Sequence, residues 1–408
     1  MANTVYQRFL QSVVQEDLTL YPVVAVMGAR QVGKSTLCRR LAEENEFAHR
    51  TLDDGDVLQQ ALESPEALLD DLGDRGVFID EVQRAPNLLL AVKGIVDREQ
   101  RPGRYLLSGS NQPRVTGAVA ESLLGRAAYR TLRPLTLSEL RLSEGYAGWD
   151  FLFGTDEAGV VEELEQRAEA SGQLDWRNVV RTGGFPRVVN APAEHQMRLL
   201  NDYVETFSRR DIQEVLGIES AERFENFLRL VNVRSGQVLN HSSLSADLAI
   251  PVNTIRRWID ALLRSYLVEL IPPYFRNAGQ RVIKAPKLFA VDCGLAMAAA
   301  RESEPSGFHL ETLVANDLAV WKDGAPGRGL FHWRLAGGQE VDFVLQHGTK
   351  LVAVEVKAGA SMNLGEVRHL RKFRESHPNA VRGILLSSDA TVRALSSDII
   401  AAPWWSVI

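Results

Sequence analysis

Cysteine is almost absent from this sequence, which has only Cys38 and Cys293 in 408 residues. Two cysteines this far apart, in apolar or helical settings, argue against a disulfide framework or a cysteine metal site and fit a reducing compartment. The sequence also lacks a run of eighteen apolar residues and the hydrophobic segment of a signal peptide. We therefore expect a cytoplasmic protein that has no membrane partner.

An excess of positive charge is missing as well. The 46 Lys and Arg residues are outnumbered by 52 Asp and Glu residues, for a net charge of −6. A nucleic-acid surface would therefore have to be a local basic patch. No internal repeat or low-complexity tract is present, which excludes repeat architectures. The apolar fraction of 45% is that of a globular protein, and the length predicts about two to four domains.

The most informative stretch is a glycine loop between an apolar strand and a helix. Residues 23–27 predict a buried parallel strand, and residues 35–44 predict a helix. The pattern G-x-x-x-x-G-K-[ST] lies between them, and it matches by chance in about one chain of this length in a hundred. The nucleotide-binding residues that it predicts are Gly28, Ala29, Arg30, Gln31, Val32, Gly33, Lys34, Ser35 and Thr36.

The residue types of this loop suit a nucleoside triphosphate with its metal ion. Gly28 and Gly33 permit positive φ angles and a close approach of backbone N–H groups to phosphate. The N-terminus of the following helix adds a positive dipole end. We expect Lys34 to reach the β- and γ-phosphates and the Ser35 hydroxyl to bind Mg²⁺. ATP and Mg²⁺ are therefore the predicted cofactors.

Two further strands end in polar residues. The stretch GVFIDE places Asp80 and Glu81 after a short apolar strand, where Asp80 would hold Mg²⁺ and Glu81 would polarise the attacking water. The stretch RYLLSGSN ends in Ser110 and Asn111, at the sheet edge where a γ-phosphate sensor belongs. A serine-rich turn is the alternative for the second stretch. Strands that alternate with helices predict a parallel, doubly wound sheet.

No convincing arginine finger, the residue that would stabilise the transition state, lies beside the loop in the sequence. In SRRDI, Arg210 is our candidate for an arginine finger offered to a neighbouring subunit, and a surface ion pair is the alternative. Arg84 and Arg126 are competing candidates. A finger supplied by a neighbour predicts a homo-oligomer, either a ring or an open assembly.

The residue pattern of 239–274 predicts a helix-turn-helix followed by a strand. This segment resembles a winged helix, with Arg256 and Arg257 in its recognition-helix position. Between residues 253 and 287, seven basic residues stand against two acidic ones. This local excess favours contact with the DNA backbone. The alternatives are a winged helix that contacts protein and one that serves as a lid of the ATPase.

The last part of the chain places acids and a lysine on neighbouring strands. A hairpin that turns at residues 347–348 brings Asp342 close to Glu355 and Lys357. Glu355 and Lys357 are two residues apart, so they point to the same face. Such a set can hold Mg²⁺ and orient a water against a phosphodiester, and Glu311 is a candidate third carboxylate. Alternating acids and valines are also ordinary at a sheet edge.

The order of these motifs resembles a known family. The motifs are GARQVGKST, FIDEVQRAP, LLSGSN, LLGRAAY, GGFPRVV, RRDI, IKAPKLFAVDCGLA, EVDFVL and VEVKAG. They are similar to those of bacterial and archaeal AAA-type ATPases that carry a C-terminal restriction-endonuclease-like domain. The resemblance spans essentially the whole chain. It implies ATP-site roles for Lys34, Ser35, Asp80 and Glu81, and it matches Asp342, Glu355 and Lys357 to the D…ExK nuclease pattern.

The fold class that the resemblance implies is α/β. It comprises a P-loop NTPase core with a parallel sheet, a helical lid, a winged helix and a C-terminal α/β domain like restriction endonucleases. The predicted ranges are 1–140, 141–220, 221–282 and 283–408, in that order.

Three functions are compatible with this organisation. The first is an ATPase that remodels DNA or translocates on it. The second is an ATP-gated, Mg²⁺-dependent nuclease that uses Asp342, Glu355 and Lys357. The third is a nucleotide switch for a protein partner, with a nuclease-like domain that does not cut. The complete ATPase motifs favour the first function, but the sequence does not separate a cutting site from a binding site.

Overall fold

The computed structural model describes residues 4–110, 123, 125–141, 148–154, 156–211, 221–275, 284–335, 337–360, 365 and 367–408. The chain divides into two compact units. The first unit consists of residues 1–135 with 264–266, and the second consists of residues 136–263 with 267–408. Across these described ranges, no helix is both long enough and apolar enough to cross a membrane.

The first unit contains a sheet of five parallel strands in the order β2-β3-β4-β1-β5. The strands are β1 (Val23–Met27), β2 (Ala48–Thr51), β3 (Val77–Asp80), β4 (Tyr105–Gly109) and β5 (Ala127–Thr131). All residues of β1, β3 and β4 are buried, as expected for inner strands of a parallel sheet. The predicted α/β core with a parallel sheet is confirmed.

The described helices of this unit are α1 (Leu10–Leu20), α2 (Lys34–Glu44), α3 (Gly55–Glu63), α4 (Pro65–Asp70) and α5 (Leu88–Glu99), with a 3-10 helix at Val82–Arg84. Helix α1 precedes the first strand, and helices α2 to α5 connect β1 to β2, β2 to β3 and β3 to β4. The sequence predicts one helix over residues 56–72, but the structure has two. The chain breaks at Ser64, and Pro65 begins α4. Proline has no N–H to donate, so it is tolerated in the first turn of a helix but not in its interior.

The second unit begins with helices. They are α6 (Leu137–Leu140), α7 (Glu157–Ser171), α8 (Trp176–Thr182), α9 (Pro186–Val189) and α10 (Ala193–Thr206). A π-helical turn at Phe207–Asp211 continues α10. Asp156 and Asp175 cap α7 and α8, because their side chains accept hydrogen bonds from first-turn N–H groups. A lid role for this region stays a prediction.

Three helices and a three-stranded sheet follow. The helices are α11 (Ala221–Val233), α12 (His241–Leu248) and α13 (Val252–Arg264); the strands are β6 (Gln237–Val238), β7 (Val268–Ile271) and β8 (Lys287–Ala290). The antiparallel order is β6-β8-β7. Trp258 on α13 packs edge-on against Phe224 and Phe227, with ring centroids 5.4 and 5.1 Å away. Strand β8 lies beyond the predicted boundary at residue 282, and the four-part division stays a prediction.

The remaining chain forms a six-stranded mixed sheet in the order β13-β14-β12-β11-β10-β9. Its strands are β9 (Arg328–Arg334), β10 (Glu340–His347), β11 (Lys350–Val356), β12 (Ala380–Ser387), β13 (Arg393–Ser396) and β14 (Ile399–Pro403). Its helices are α14 (Cys293–Ala300), α15 (Gly307–Asp323) and α16 (Val367–Ser376). The hairpin between β10 and β11 is confirmed.

Two sequence motifs of the second unit meet around one buried carboxylate. Asp292 caps α14 by accepting a hydrogen bond from the Leu295 N–H at 2.7 Å, and it accepts another from the Gly184 N–H at 2.6 Å. Burial raises the pKa of Asp292 to about 6, although these backbone donors oppose the shift. Gly183 has a φ of +65°, and a Cβ there would lie 2.3 Å from the Asp292 carboxylate. The contact therefore joins the motifs GGFP and VDCGLA in the fold.

Candidate nucleotide site and nuclease-like cluster

The loop between β1 and α2 has the backbone that the glycines predict. Gly28 and Gly33 have φ angles of +153° and +97°, and Gln31 between them has +64°. A Cβ on Gly28 would lie 2.2 Å from the backbone oxygen of Leu132, so only glycine fits there. Gly33 precedes the first residue of α2, which aims the helix N-terminus at the loop. This backbone can surround a phosphate group.

Lys34 is buried at the centre of the loop. Its Nζ donates hydrogen bonds to the backbone oxygens of Gly28 at 3.0 Å and Ala29 at 2.8 Å. Burial lowers the pKa of Lys34 to about 8, and the carboxylates of Glu81 and Asp80 oppose that shift. The same ammonium can donate to phosphate oxygens instead of these two carbonyl groups. Its position is the one that the loop motif requires.

Asp80 and Glu81 stand at the carboxyl end of β3. Asp80 is buried, and its Oδ1 accepts hydrogen bonds from the Ser108 hydroxyl and from the Glu81 N–H, the latter at 3.1 Å. Glu81 has a φ of +59°, an unfavourable conformation for a residue with a side chain. Backbone strain of this kind is concentrated at functional sites. The two carboxylates are therefore held at the sheet edge next to the loop.

Gln83 joins the predicted water-activating residue to the predicted sensor. Its Nε2 donates to Glu81 Oε2 and, at 3.0 Å, to Ser110 Oγ. Its Oε1 accepts from the Ser110 N–H at 3.3 Å, and the Ser110 hydroxyl donates to Glu81 Oε2 at 3.3 Å. Ser110 thus lies beside Glu81, while Asn111 lies outside the described residues. The sequence interpretation missed Gln83, although it stands in the quoted motif FIDEVQRAP.

We expect the Gln83→Leu variant to lose about tenfold in the turnover number for ATP, because Glu81 would lose its positioning hydrogen bond. Nucleotide affinity should change less than about twofold, since Gln83 does not belong to the phosphate loop. Steady-state turnover and a fluorescent-nucleotide titration measure the two quantities. Gln59→Leu is the matched control, because Gln59 is exposed on α3 and its side chain donates a hydrogen bond to Glu63 at the surface. A wild-type turnover number in Gln83→Leu would contradict the positioning role.

An arginine near the start of the chain stabilises the backbone of the phosphate loop. Arg8 is buried, and its guanidinium donates to the backbone oxygens of Val32 at 2.8 Å and Arg133 at 2.5 Å. It therefore ties the loop to the segment after β5. The sequence interpretation missed Arg8, because its partners are 24 and 125 residues away and no local pattern marks them.

The candidate arginine fingers have partners in their own chain where the structure describes them. Arg84 donates to the Leu52 backbone oxygen at 2.7 Å and pairs with Asp53 at 2.8 Å. Arg126 pairs with Asp97. The side chain of Arg210 lies outside the described part of the chain. The finger and the assembly into a homo-oligomer therefore stay predictions.

The nucleotide site also fits Mg²⁺. Ser35 is the second residue of α2, directly after Lys34, and Asp80 presents a buried carboxylate at the end of β3. A hydroxyl and a carboxylate are the hard oxygen ligands that Mg²⁺ takes together with water and phosphate oxygens. These two residues would hold the ion, which supplies countercharge for the triphosphate.

The D…ExK residues of the second unit are brought together. Phe343 pairs with Val354 across the hairpin, so Asp342 lies opposite Glu355. The Lys357 ammonium contacts Glu355 Oε1 at 2.7 Å. Burial and the charge of Asp342 raise the pKa of Glu355 to about 8, against the effect of Lys357. The predicted common face is therefore present.

A fourth residue, Lys287, lies in the centre of this cluster. Its Nζ is 2.9 Å from Glu311 Oε1, 2.7 Å from Glu340 Oε1 and 3.0 Å from Asp342 Oδ1. Burial lowers the pKa of Lys287, but the three carboxylates outweigh it and hold the pKa well above its usual value. Burial and Asp342 raise the pKa of Glu311 to about 8. We call Lys287, Glu311, Glu340 and Asp342 the lysine cluster.

The basic excess near α13 is smaller at the surface than in the sequence. Arg256 and Arg257 are exposed on α13, as predicted. Lys287, however, belongs to the buried lysine cluster and contributes nothing to a surface patch. Arg276 and Arg281 lie outside the described residues.

The comparisons with known proteins divide the chain into three matched segments. Residues 20–141 match the family model described as an AAA domain. Residues 173–306 and 306–407 match two models described as domains of unknown function, DUF8612 and DUF4143. Uncharacterized proteins of Mycobacterium bovis and Mycobacterium tuberculosis are each 28% identical over 347 residues, covering 82% of this chain and 70% of theirs.

Two solved structures are similar to parts of the chain. A Walker-type ATPase of Pyrococcus abyssi has a TM-score of 0.40 at 15% identity, over 72% of this chain and 96% of that one. RuvB of Thermotoga maritima has a TM-score of 0.30 at 17% identity, over 65% of this chain and 94% of that one. The AAA match contains the loop, Asp80 and Glu81. Residues 20–141, which hold the phosphate loop, therefore match an AAA domain.

Proposed function

We propose that this protein hydrolyses ATP with Mg²⁺ in its first unit and uses the energy to remodel DNA, or translocate on DNA, bound by its second unit. The observation that carries the hydrolytic part is the contact of Glu81 with Gln83 and Ser110 at the edge that also holds Lys34 and Asp80. A residue that only bound nucleotide would not need this orientation.

Each residue of the site has a distinct role in the proposal. Lys34 neutralises the β- and γ-phosphates, and Ser35 and Asp80 hold Mg²⁺. Glu81 accepts a proton from the attacking water, because Gln83 and Ser110 fix its carboxylate. Ser110 also follows the buried strand β4 and is the proposed sensor of the γ-phosphate.

The DNA-binding part rests on the arrangement of α11 to α13 with the sheet β6-β8-β7. A helix, a strand, two helices and two further strands in this pairing order are the topology that we propose as a winged helix. Helix α13 buries one face, including Ile255 and Trp258, and exposes Arg256 and Arg257 on the other. Exposed guanidinium groups on a recognition helix suit contacts to DNA phosphates.

The C-terminal part completes the proposal. We propose that the six-stranded mixed sheet is a restriction-endonuclease-like domain, since β10 and β11 carry Asp342 and Glu355 at opposed positions. We further propose that this domain supports DNA binding without cutting.

One assay tests the proposed function. ATP turnover is measured with and without duplex, forked and four-way DNA, and the DNA products are separated on a denaturing gel. We expect at least one DNA to stimulate turnover and every strand to remain intact. If none of the three DNAs binds or changes ATP turnover, the nucleotide switch for a protein partner is favoured. Mg²⁺-dependent cutting would favour the nuclease.

Replacing both exposed arginines of α13 should weaken DNA binding. In the Arg256→Ala, Arg257→Ala double variant, we expect affinity to fall about tenfold and the salt dependence to lose about two phosphate contacts. Fluorescence anisotropy at several salt concentrations measures both. Arg187→Ala with Arg198→Ala is the matched control, because these arginines are also exposed in the second unit. Equal losses in the two double variants would show a general charge effect and reject α13 as the DNA contact.

A further inference from the structure

On the restriction-endonuclease-like fold that we propose for this domain, the lysine cluster places a cation where a nuclease would hold a metal ion. The Lys287 side chain is only 2% exposed, and three different carboxylates reach its Nζ within 3.0 Å. Lys287 comes from β8, Glu311 from α15, and Glu340 and Asp342 from β10. The ammonium therefore joins the three-stranded sheet, a helix and the six-stranded sheet. No neutral group could take this position without leaving the buried carboxylates uncompensated.

The carboxylate oxygens of Asp342 and Glu340 already have donors from the protein. Asp342 Oδ1 accepts from Lys287, and its Oδ2 accepts from the Val356 N–H at 3.0 Å. Glu340 is bound on both oxygens, by Lys287 and at 3.2 Å by Arg334. A metal ion bound by Asp342 and Glu311 would approach the ammonium closely and be repelled by it. Within the described ranges, no group of three or more His, Cys, Asp or Glu residues is arranged as a metal site.

One atom of the site, in contrast, favours metal binding. Glu355 Oε2 is buried and has no hydrogen-bond partner among the described residues. An unpaired carboxylate oxygen is a candidate metal ligand, but its companion Oε1 already accepts from Lys357. If the wild-type protein binds a metal ion in this site, Glu355 is therefore the residue expected to bind it.

We propose that the Lys287 ammonium replaces the divalent cation of this nuclease-like site, so that the site is a charge-compensated structural cluster that neither binds Mg²⁺ nor cuts DNA. The role of Lys287 follows from its contacts alone and does not depend on ATP hydrolysis or on DNA binding by α13. It selects among the alternatives that the D…ExK pattern leaves open, because a structural cluster keeps the acidic residues without their chemistry.

The test removes the ammonium and supplies a metal ion. In the Lys287→Met variant a side chain of similar length carries no charge, so the carboxylates lack their counterion. We expect this variant to bind Mn²⁺ at least about tenfold more tightly than wild type does, and to unfold at a higher temperature with Mn²⁺ than with EDTA. Mn²⁺ binding is followed by electron paramagnetic resonance without nucleotide. Unfolding is followed by tryptophan fluorescence, because all seven tryptophans lie in the second unit.

Two matched variants test whether the Mn²⁺ bound by Lys287→Met lies at the lysine cluster. Lys357→Met removes the neighbouring ammonium but leaves the lysine cluster intact, so it should bind Mn²⁺ as weakly as wild type. Adding Asp342→Asn to Lys287→Met should abolish the new binding. If Lys287→Met binds no Mn²⁺ when folded, the ammonium does not stand in the place of a cation and the proposal fails.

The wild-type protein decides the question even if Lys287→Met does not fold. Wild type should show no Mn²⁺ binding that Asp342→Asn or Glu355→Gln removes, and its Mn²⁺ titration should match those of both variants. Mn²⁺ bound by wild type and lost in either variant would overturn the proposal. So would Mg²⁺-dependent nicking that disappears in Glu355→Gln. These outcomes leave the ATPase proposal untouched, because they concern the second unit alone.

Discussion

ATP hydrolysis should fall by a factor on the order of a hundred or more in Lys34→Ala, and the loss should appear as lost nucleotide affinity. The Lys34 ammonium is the buried cation at the centre of the loop, hydrogen-bonded to two carbonyl oxygens that a phosphate can replace. Alanine removes the countercharge of the triphosphate and leaves the loop backbone in place. Titration with a fluorescent ATP analogue and steady-state turnover measure the two effects.

Glu81→Gln should separate binding from chemistry. The amide keeps the size of the side chain but accepts a proton poorly, so we expect turnover to fall by about a hundredfold or more. Nucleotide affinity should stay within about threefold of wild type, because Glu81 is positioned by Gln83 and Ser110 and not by the loop. If both variants lose affinity equally, Glu81 is a binding residue and the proposed division of roles is wrong.

The nucleotide site was predictable from the sequence because its determinants are local. Strand β1, the loop and α2 are consecutive, and the glycine spacing alone demands the φ angles found at Gly28 and Gly33. Asp80 and Glu81 follow a short apolar strand, which the apolar pattern reveals. The single helix predicted over residues 56–72 was wrong, because Pro65 interrupts the helix that the apolar spacing indicated. Proline chemistry outweighs that spacing.

The partners of these residues were not predictable, because tertiary contacts create them. Gln83 meets Ser110 across 27 residues, and Lys287 meets Asp342 across 55. In the sequence Lys287 counts as one more basic residue near the recognition helix. In the fold, β8 carries it into the interior, where burial would remove its charge if three carboxylates did not stabilise the ammonium. Charge counted along a sequence does not show which cations reach the surface.

A further large effect is expected at Gly28. A Cβ there would lie 2.2 Å from the Leu132 backbone oxygen, and Leu132 cannot easily move because its N–H donates to the Met27 oxygen at 2.7 Å. The φ of +153° adds backbone strain for any other residue. We expect Gly28→Ala to lose about 3 kcal/mol of local stability in β1 and β5. The displaced loop should also bind ATP at least about tenfold more weakly.

Amide hydrogen exchange resolves this effect strand by strand. In Gly28→Ala, peptides that cover β1 and β5 should exchange faster, and the fluorescent nucleotide should bind less tightly. Gly55→Ala is the matched control, since Gly55 opens α3 and a Cβ there meets no atom within 4 Å. This control should change exchange and nucleotide affinity little, because alanine is the better helix former. Wild-type exchange in β5 together with wild-type affinity in Gly28→Ala would show that the loop tolerates a Cβ, and the structural requirement for glycine would then be wrong.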